Sequence, residues 1–269
     1  MQEFKQFLSD LGRSENTIKN YLSDISIYIK DKENYLNPEK FSPATLERRK
    51  NALNLYLKFL NIDERITKKF NKKILFQKDC IKNEDIKNLF EVLEKKLKTA
   101  ESFKEKKKIL QNRISISLGV NEGLRVSEYK NLEFEKKEIE IRNSKGNSFR
   151  TIPLTNYTLE KIKDLYEFLD KPKGFVFENA NGKFINIRTF QLWLVDAGTE
   201  ANIPREHLGT HSLRHRFARN YLKINSGRIE QLGNILGHMS IQTTLMYTLP
   251  SRDEIKSGMN NSSITNFWA

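Results

Sequence analysis

The chain of 269 residues is 38% hydrophobic, with 17 Phe and 9 Tyr, enough apolar side chain for packed cores and too much for wholesale disorder. That length fits two domains better than one. Lys and Arg number 47 against 34 Asp and Glu, a formal charge of +13, which favours a polyanionic partner because such cations displace condensed counterions from nucleic acid. The single cysteine, Cys80, excludes an internal disulfide, fits a reducing cytoplasm and makes a zinc site unexpected. No basic stretch leads into an apolar segment at the N-terminus, and no run approaches about 18 apolar residues, so neither a signal peptide nor a membrane span is expected.

Residues 1–65 read as helices only. Ile18, Tyr21, Leu22, Ile25, Tyr28 and Ile29 recur at helical spacing after a start signal around Ser14 and Asn16. Ser42 before Pro43 is a second start, a hydroxyl N-cap followed by proline at the first helical position. The helix that follows is read with Leu46, Leu53, Tyr56, Leu57 and Leu60 on one face. Glu47, Arg48, Lys50, Asn54 and Lys58 are assigned to the other, with Arg49 near the boundary. A polar, basic stretch that includes Lys68-Lys69 and Lys72-Lys73 reads as a linker over 66–82. Residues 1–80 hold 16 basic and 11 acidic side chains, and residues 81–269 hold 31 and 23. Both parts are basic, as expected if both touch one duplex.

A second domain is expected over 83–250. It opens with Asn83 as an N-cap and Ile86, Leu89, Phe90 and Leu93 at helical spacing, and another helix covers roughly 103–121. The period then changes. Ile139 and Ile141 alternate with Glu140 and Arg142, Gly146-Asn147 supplies a turn, and Phe149 and Ile152 lead to Pro153, which predicts a β-hairpin with its loop near Ser144–Ser148. Helices return around 155–169, 187–200, 211–223, 228–236 and 240–248, with short strand pieces near Gly174–Phe177 and Lys183–Ile185. A tail over 251–269 contains a polar, flexible stretch, Ser257 to Ser263, before Ile264, Phe267 and Trp268. The expected fold is mostly α with a small β-sheet: a helical N-terminal domain and a mixed α+β second domain.

Four features of the second domain carry chemistry. Arg125 lies in Gly123-Leu124-Arg125-Val126-Ser127-Glu128, at the start of a short helix whose positive end suits an anionic oxygen. His211-Ser212-Leu213-Arg214-His215 follows, then Leu236-Gly237-His238, then Tyr247 nine positions on. All four histidines fall between His207 and His238. His211 and Arg214, three apart on a helix, share a face, whereas His215 points away from Arg214. Two guanidiniums can grip a phosphodiester, imidazoles can manage protons, and a phenol can attack phosphorus.

In order and spacing these motifs resemble the tyrosine recombinase (phage integrase) family, and the simple Xer-type recombinases within it. The segment from Gly237 to Tyr247 is similar to the family's nucleophile segment. The resemblance implies that Tyr247 is the nucleophile and that Arg125, Arg214 and His238 stabilise charge on the phosphate. It further implies that His211 is a base or a further phosphate donor, and that Lys145, in the hairpin loop Asn143-Ser144-Lys145-Gly146-Asn147, is the acid for the departing 5′ oxygen. The covalent 3′-phosphotyrosine conserves bond energy, so neither ATP, metal nor other cofactor is expected. The N-terminal helices resemble a core-binding domain, which assigns Thr17, Lys19 and Asn20, with Arg48, Arg49 and Lys50, to the DNA groove. The implied partners are a double-stranded DNA site and further copies of the chain, a tetramer in synapsis with tails possibly exchanged between subunits. The implied task is dimer resolution or mobile-element integration in the cytoplasm. A type IB topoisomerase shares the fold and nucleophile but tends to carry lysine where His211 stands. A DNA-binding protein with a vestigial site would be marked by loss of Tyr247 or Arg125.

Overall fold

Serine hydroxyls set two of the three helix starts at the N-terminal end. After α1 (Gln2–Asp10), Ser14 accepts from the Thr17 amide and opens α2 (Glu15–Lys30); Ser42 accepts from the Thr45 amide and opens α3 (Pro43–Phe59). Apolar positions at helical spacing bury Phe4, Leu8, Ile18, Ile25, Ala52, Leu53 and Leu57 around Tyr35. This computed structural model describes residues 1–70, 79–142, 149–179 and 181–261, and the chain divides into two units, Met1–Ile74 and Leu75–Ala269.

The face assigned to α3 is corrected at Lys50, and Arg49, read near the boundary, falls on the buried side with it. Arg49 and Lys50 are buried, at 5% and 8% exposure, not presented to solvent as expected of groove-contacting residues. The reason is helical spacing: Lys50 is four residues after Leu46 and three before Leu53, so it shares their face, and Arg49 adjoins it. The Arg49 guanidinium lies 3.9 Å from the Phe41 ring centroid and donates to the Tyr35 carbonyl, while Lys50 pairs with Glu47. Arg48 is partly exposed, but its fork is closed on the buried carboxylate of Asp24 at 2.9 and 2.8 Å. Thr17 and Asn20 are half-buried and Lys19 is exposed. The first residues of the expected linker also belong to this unit. Asn54 brackets Ile66, accepting from its amide and donating to its carbonyl, and Phe70 is buried with its amide on Glu47.

The second unit is built around α5 (Phe103–Asn121), whose residues from Ile109 to Gly119 are all buried. A helix apolar on one stripe only could not be so enclosed; α5 is packed by α4 (Asn83–Thr99), α6 (Asn156–Phe168), α7 (Ile187–Glu200) and α8 (Thr210–Ile224). Two of its buried polar side chains find backbone acceptors: Gln111 donates to the Val176 carbonyl and Asn112 to that of Trp193. A 3-10 turn, Val126–Asn131, follows α5. The hairpin then forms with β1 (Glu138–Arg142) antiparallel to β2 (Phe149–Pro153), Ile139 opposite Ile152 and Ile141 opposite Arg150. Ile139, Ile141 and Ile152 face the core. Its loop, 143–148, lies outside the described residues, and Lys145 with it. The strand pieces expected near 174–177 and 183–185 reduce to isolated bridges, Glu133 with Phe175 and Glu178 with Phe184.

Beyond α8 come α9 (Ile229–Leu236), α10 (Ile241–Leu245), a 3-10 turn at Met246–Thr248 and α11 (Arg252–Asn261). The last helix corrects the expected flexible stretch as far as Asn261. Ser251 and Glu254 cap it reciprocally, and Glu254 also pairs with Arg219 of α8 at 3.0 Å. Ile264, Phe267 and Trp268 lie outside the described residues. Among the described residues no helix is long and apolar enough to cross a membrane.

Glu122 locks the exit of the hairpin to the end of α5. Its carboxyl, 2% exposed, accepts from the Thr155 amide and hydroxyl and from the Thr158 hydroxyl, at 2.8 to 3.0 Å. Burial outweighs these donors and raises it from 4.5 to about 7. A raised value in the folded state means stability that is fully present below pH 4.5 and lost as pH rises through about 7. Glu122→Gln should therefore match the natural chain in urea unfolding near pH 4.5 and exceed it by about 3 kcal/mol at pH 8. Parallel pH profiles for the two proteins would refute this account.

Candidate active site

Arg125 is delivered by a turn that only glycine permits. Gly123 sits at φ +63°, and a Cβ there would meet the Phe217 ring at 2.3 Å. Its carbonyl accepts from Arg214 Nη1 at 2.7 Å, which joins the Arg125 turn to α8. Arg125 and Arg214 then converge on one acceptor, the Leu236 carbonyl at the end of α9, at 3.2 and 2.6 Å. The Arg214 side chain is 4% exposed and that of Arg125 34%, so one guanidinium is the floor of the site and the other its rim.

A single carboxylate organises these cations. Glu128 accepts from the Arg125 amide at 2.8 Å and from Arg125 Nη1 at 3.0 Å, takes Arg150 Nη2 at 2.9 Å, and lies 3.9 Å from Arg214. Three guanidiniums around one carboxylate leave uncompensated positive charge in a partly dry site. Burial first, then the neighbouring Arg125, lowers Arg214 to about 10, and burial with Arg214 and Arg125 lowers His211 as well. Cations so placed against one another are relieved by an anion.

His238 follows Gly237, the left-handed cap of α9 at φ +62°. Its Nε2 lies 3.2 Å from Arg214 Nη2 and its Nδ1 2.9 Å from the buried Thr244 hydroxyl. A guanidinium only donates, so Nε2 carries the lone pair and Nδ1 the proton, which Thr244 accepts. Burial, then Arg214, Arg125, Arg150 and His215, holds the imidazole down to about 4. The Tyr247 ring is stacked on His238, centroids 6.1 Å apart and planes within 7°, and lies 5.1 Å from the His215 ring. The nearby Arg214 favours the phenolate, yet burial dominates and raises the phenol above its ordinary 10.0. His211 is an exposed residue of the first turn of α8, within electrostatic reach of both arginines.

The expected residues Arg125, Arg214, His238 and Tyr247 are thus brought into one cluster with His211 at its edge, and Lys145 lies outside the described residues. His207 Nδ1 is buried without a hydrogen-bond partner. Four residues of the cluster were not singled out from sequence: Glu128, Arg150, Thr244 and, as a wall for Tyr247, His215. The Arg-x-x-Glu spacing of Arg125 and Glu128 was a usable signal, since residues three apart pair across one turn. Among the described residues no group of three His, Cys, Asp or Glu could hold a metal ion.

Residues 80–254 match the phage integrase family. The chain belongs to that family, the tyrosine recombinases, and resembles its simple Xer-type members. It is 27% identical over 286 residues to tyrosine recombinase XerA of Pyrococcus furiosus, covering 98% of this chain and 94% of the relative. Its fold is shared with XerH site-specific recombinase bound to palindromic difH substrate in a post-cleavage complex. That likeness has a TM-score of 0.69 at 21% identity and covers 93% of this chain and 80% of the other. A lambda integrase dimer bound to a COC′ core site gives 0.66 at 16% identity, over 91% and 75%.

Neutral His238 is a measurable consequence of the packing. A folded value below the ordinary 6.5 means stability present above pH 6.5 and lost as pH falls through about 4. In unliganded protein the imidazole should titrate near pH 4 by ¹⁵N NMR, protonated at Nδ1 above that. Thr244→Val should orphan Nδ1 and cost about 1–3 kcal/mol in thermal unfolding, with Thr244→Ser restoring most of it. Titration near 6.5, or a silent Thr244→Val, would contradict the geometry.

Proposed function

We propose that this tyrosine recombinase is a site-specific DNA recombinase that breaks and rejoins double-stranded DNA through a 3′-phosphotyrosine on Tyr247. The observation that carries the reading is the Tyr247 ring stacked on His238, which itself lies against Arg214, inside a cluster whose cations outnumber its carboxylates. The scissile phosphate replaces the Leu236 carbonyl as the acceptor for Arg125 and Arg214. His238 adds a third contact once the phosphate's charge favours a proton on Nε2.

Tyr247 begins as a neutral phenol, since burial raises it further above neutrality. Attack therefore needs a base, and His211, lowered and so unprotonated at neutral pH, fills that role. The Oη–P bond forms as the P–O5′ bond breaks. The phenolic proton passes to His211, and Lys145 donates one to the departing 5′ oxygen. Attack by a 5′-hydroxyl on the phosphotyrosine reverses these steps on a partner strand, so bond energy is conserved and no ATP is consumed. No metal takes part in this scheme. The N-terminal unit, 1–65 with its packed strap, serves as the core-binding domain and residues 83–250 as the catalytic domain. Four subunits hold two sites, the segment beyond Tyr247 reaching a neighbour, and the single cysteine fits work in the cytoplasm. Dimer resolution and mobile-element integration use the same chemistry. A topoisomerase reading is less favoured because histidine stands at 211.

On a nicked suicide duplex the chain should form a denaturant-stable adduct at Tyr247, and Tyr247→Phe should form none. Cleavage should persist in EDTA. An adduct mapping to Tyr221 or Tyr157, or a strict need for magnesium, would sink the mechanism.

Duplex binding should weaken steeply with salt, log K falling linearly with log salt concentration as counterion release requires. A flat response in a gel-shift series from low to moderate salt would mean that the excess charge is not directed at phosphate.

A further inference from the structure

Arg150 is the third guanidinium of the cluster, and the scheme above gives it no step. It lies on β2, opposite Ile141. Its side chain is 11% exposed and leaves the hairpin for the end of α9. Nε donates to the Ile235 carbonyl at 2.9 Å and Nη2 to Glu128 Oε1 at 2.9 Å. Nη1 lies on Gly237, where a Cβ would come within 2.4 Å of it. That Nη1 is buried and has no hydrogen-bond partner.

Stability alone gives no reason for this arrangement. A buried guanidinium with one orphaned nitrogen, beside two others of like charge, loses solvation that a well-packed apolar side chain would not. The fork instead offers rigid reach. It joins three elements that carry different parts of the site: β2, the Gly237-His238 turn, and Glu128 with its partner Arg125. Glu128 Oε1 is shared by Arg125 and Arg150, and Ile235 directly precedes Leu236, whose carbonyl holds Arg125 and Arg214. When a phosphate draws those two arginines off Leu236, the Arg150 bond to Ile235 still fixes the helix end that carries His238.

We propose that Arg150 is a positioning residue that ties the hairpin bearing Lys145 to the His238 turn and to Glu128, so that the leaving-group side of the site and its phosphate clamp are set together. The proposal rests on the roles given to Lys145 and His238 above. A lysine cannot replace Arg150, because one ammonium on a flexible stem cannot hold both acceptors while covering Gly237.

The test uses the full-length chain with Arg150→Ala, Arg150→Gln, Arg150→Lys, Lys145→Ala and the Arg150→Ala/Lys145→Ala pair. Circular dichroism and thermal unfolding select variants that fold; Arg150→Gln serves if the alanine variant does not. Duplex binding should stay within about threefold of the natural chain, since one interior cation adds little to a large electrostatic interface. Single-turnover cleavage of the suicide duplex should fall by roughly 100-fold, Arg150→Lys should not restore it, and the double variant should be no slower than its slower parent, the signature of coupled sites. A bridging 5′-sulfur at the scissile position needs no acid. It should rescue Lys145→Ala nearly fully and Arg150→Ala only in part, because the clamp is also disturbed. Cleavage at the natural rate in Arg150→Ala, or rate losses that multiply in the double variant, would overturn the coupling. Failure of the sulfur to rescue Lys145→Ala would instead overturn the role of Lys145, and the coupling of Arg150 to a leaving-group acid with it.

Discussion

Three guanidiniums converge on the C-terminal end of α9, a helix of eight residues. The last carbonyls of a helix lack partners inside it, and its dipole is negative there, so the Ile235 and Leu236 carbonyls are natural acceptors for cations. They take Arg150, Arg125 and Arg214, and among the described residues Glu128 is the carboxylate that pairs with them. Partial charges and a single carboxylate can orient three cations but cannot neutralise them. The site is therefore assembled with a deficit of negative charge, in the place where the Tyr247 ring stacks on His238. An anion with several oxygens completes it better than any side chain could, because it accepts from both arginines at once.

The same deficit sets the protonation of everything around it. His238 and His211 are held neutral by burial and by the arginines, and the phenol is kept protonated by burial although Arg214 works the other way. Both imidazoles are thus unprotonated at neutral pH while the phenol keeps its proton, the starting states that the proposed mechanism requires. Entry of that phosphate adds negative charge, which raises both imidazoles and makes a donor of His238. The Thr244 hydroxyl can accept from Nδ1 or donate to it, so His238 can change state without losing its partner or its orientation. Stacking of Tyr247 on His238 and against His215 limits the ring's swing, leaving the hydroxyl's approach to Arg214 as the defined coordinate.

Local signals in the sequence were read well where they act locally. Ser14 and Ser42 cap the helices they announce, the alternation at Ile139 and Ile141 becomes the hairpin, and the cluster of Arg125, Arg214, His238 and Tyr247 assembles from its motifs. What escaped depends on tertiary position. Lys50 carries a charge, so it was placed on the polar face, although its spacing from Leu46 and Leu53 puts it on the buried one; Glu47 is what makes that burial tolerable. Arg150 reads as an ordinary strand residue until α9 is seen beside β2. Thr244 gains its role only because α10 turns back on the Gly237 cap. The polar segment after Ser251 looked unstructured because its stabilising partner, Arg219, lies on another helix.

These placements change what the net charge of +13 means. A count of basic residues treats each as available to a polyanion, yet several are spent on the interior. Arg49 lies under Phe41, Arg113 pairs with Glu94 and Asp164, and Lys161 is buried beside Glu160, while the more exposed Arg48 is closed on Asp24. Arg125, Arg150 and Arg214 are likewise turned inward, but with one carboxylate among the three. Interior cations matched by acids contribute to the fold and nothing to long-range attraction. Those left unmatched at the end of α9 hold the potential where it can act on a single phosphate. The excess charge thus separates into a diffuse part that draws nucleic acid to the surface and a focused part that activates one bond.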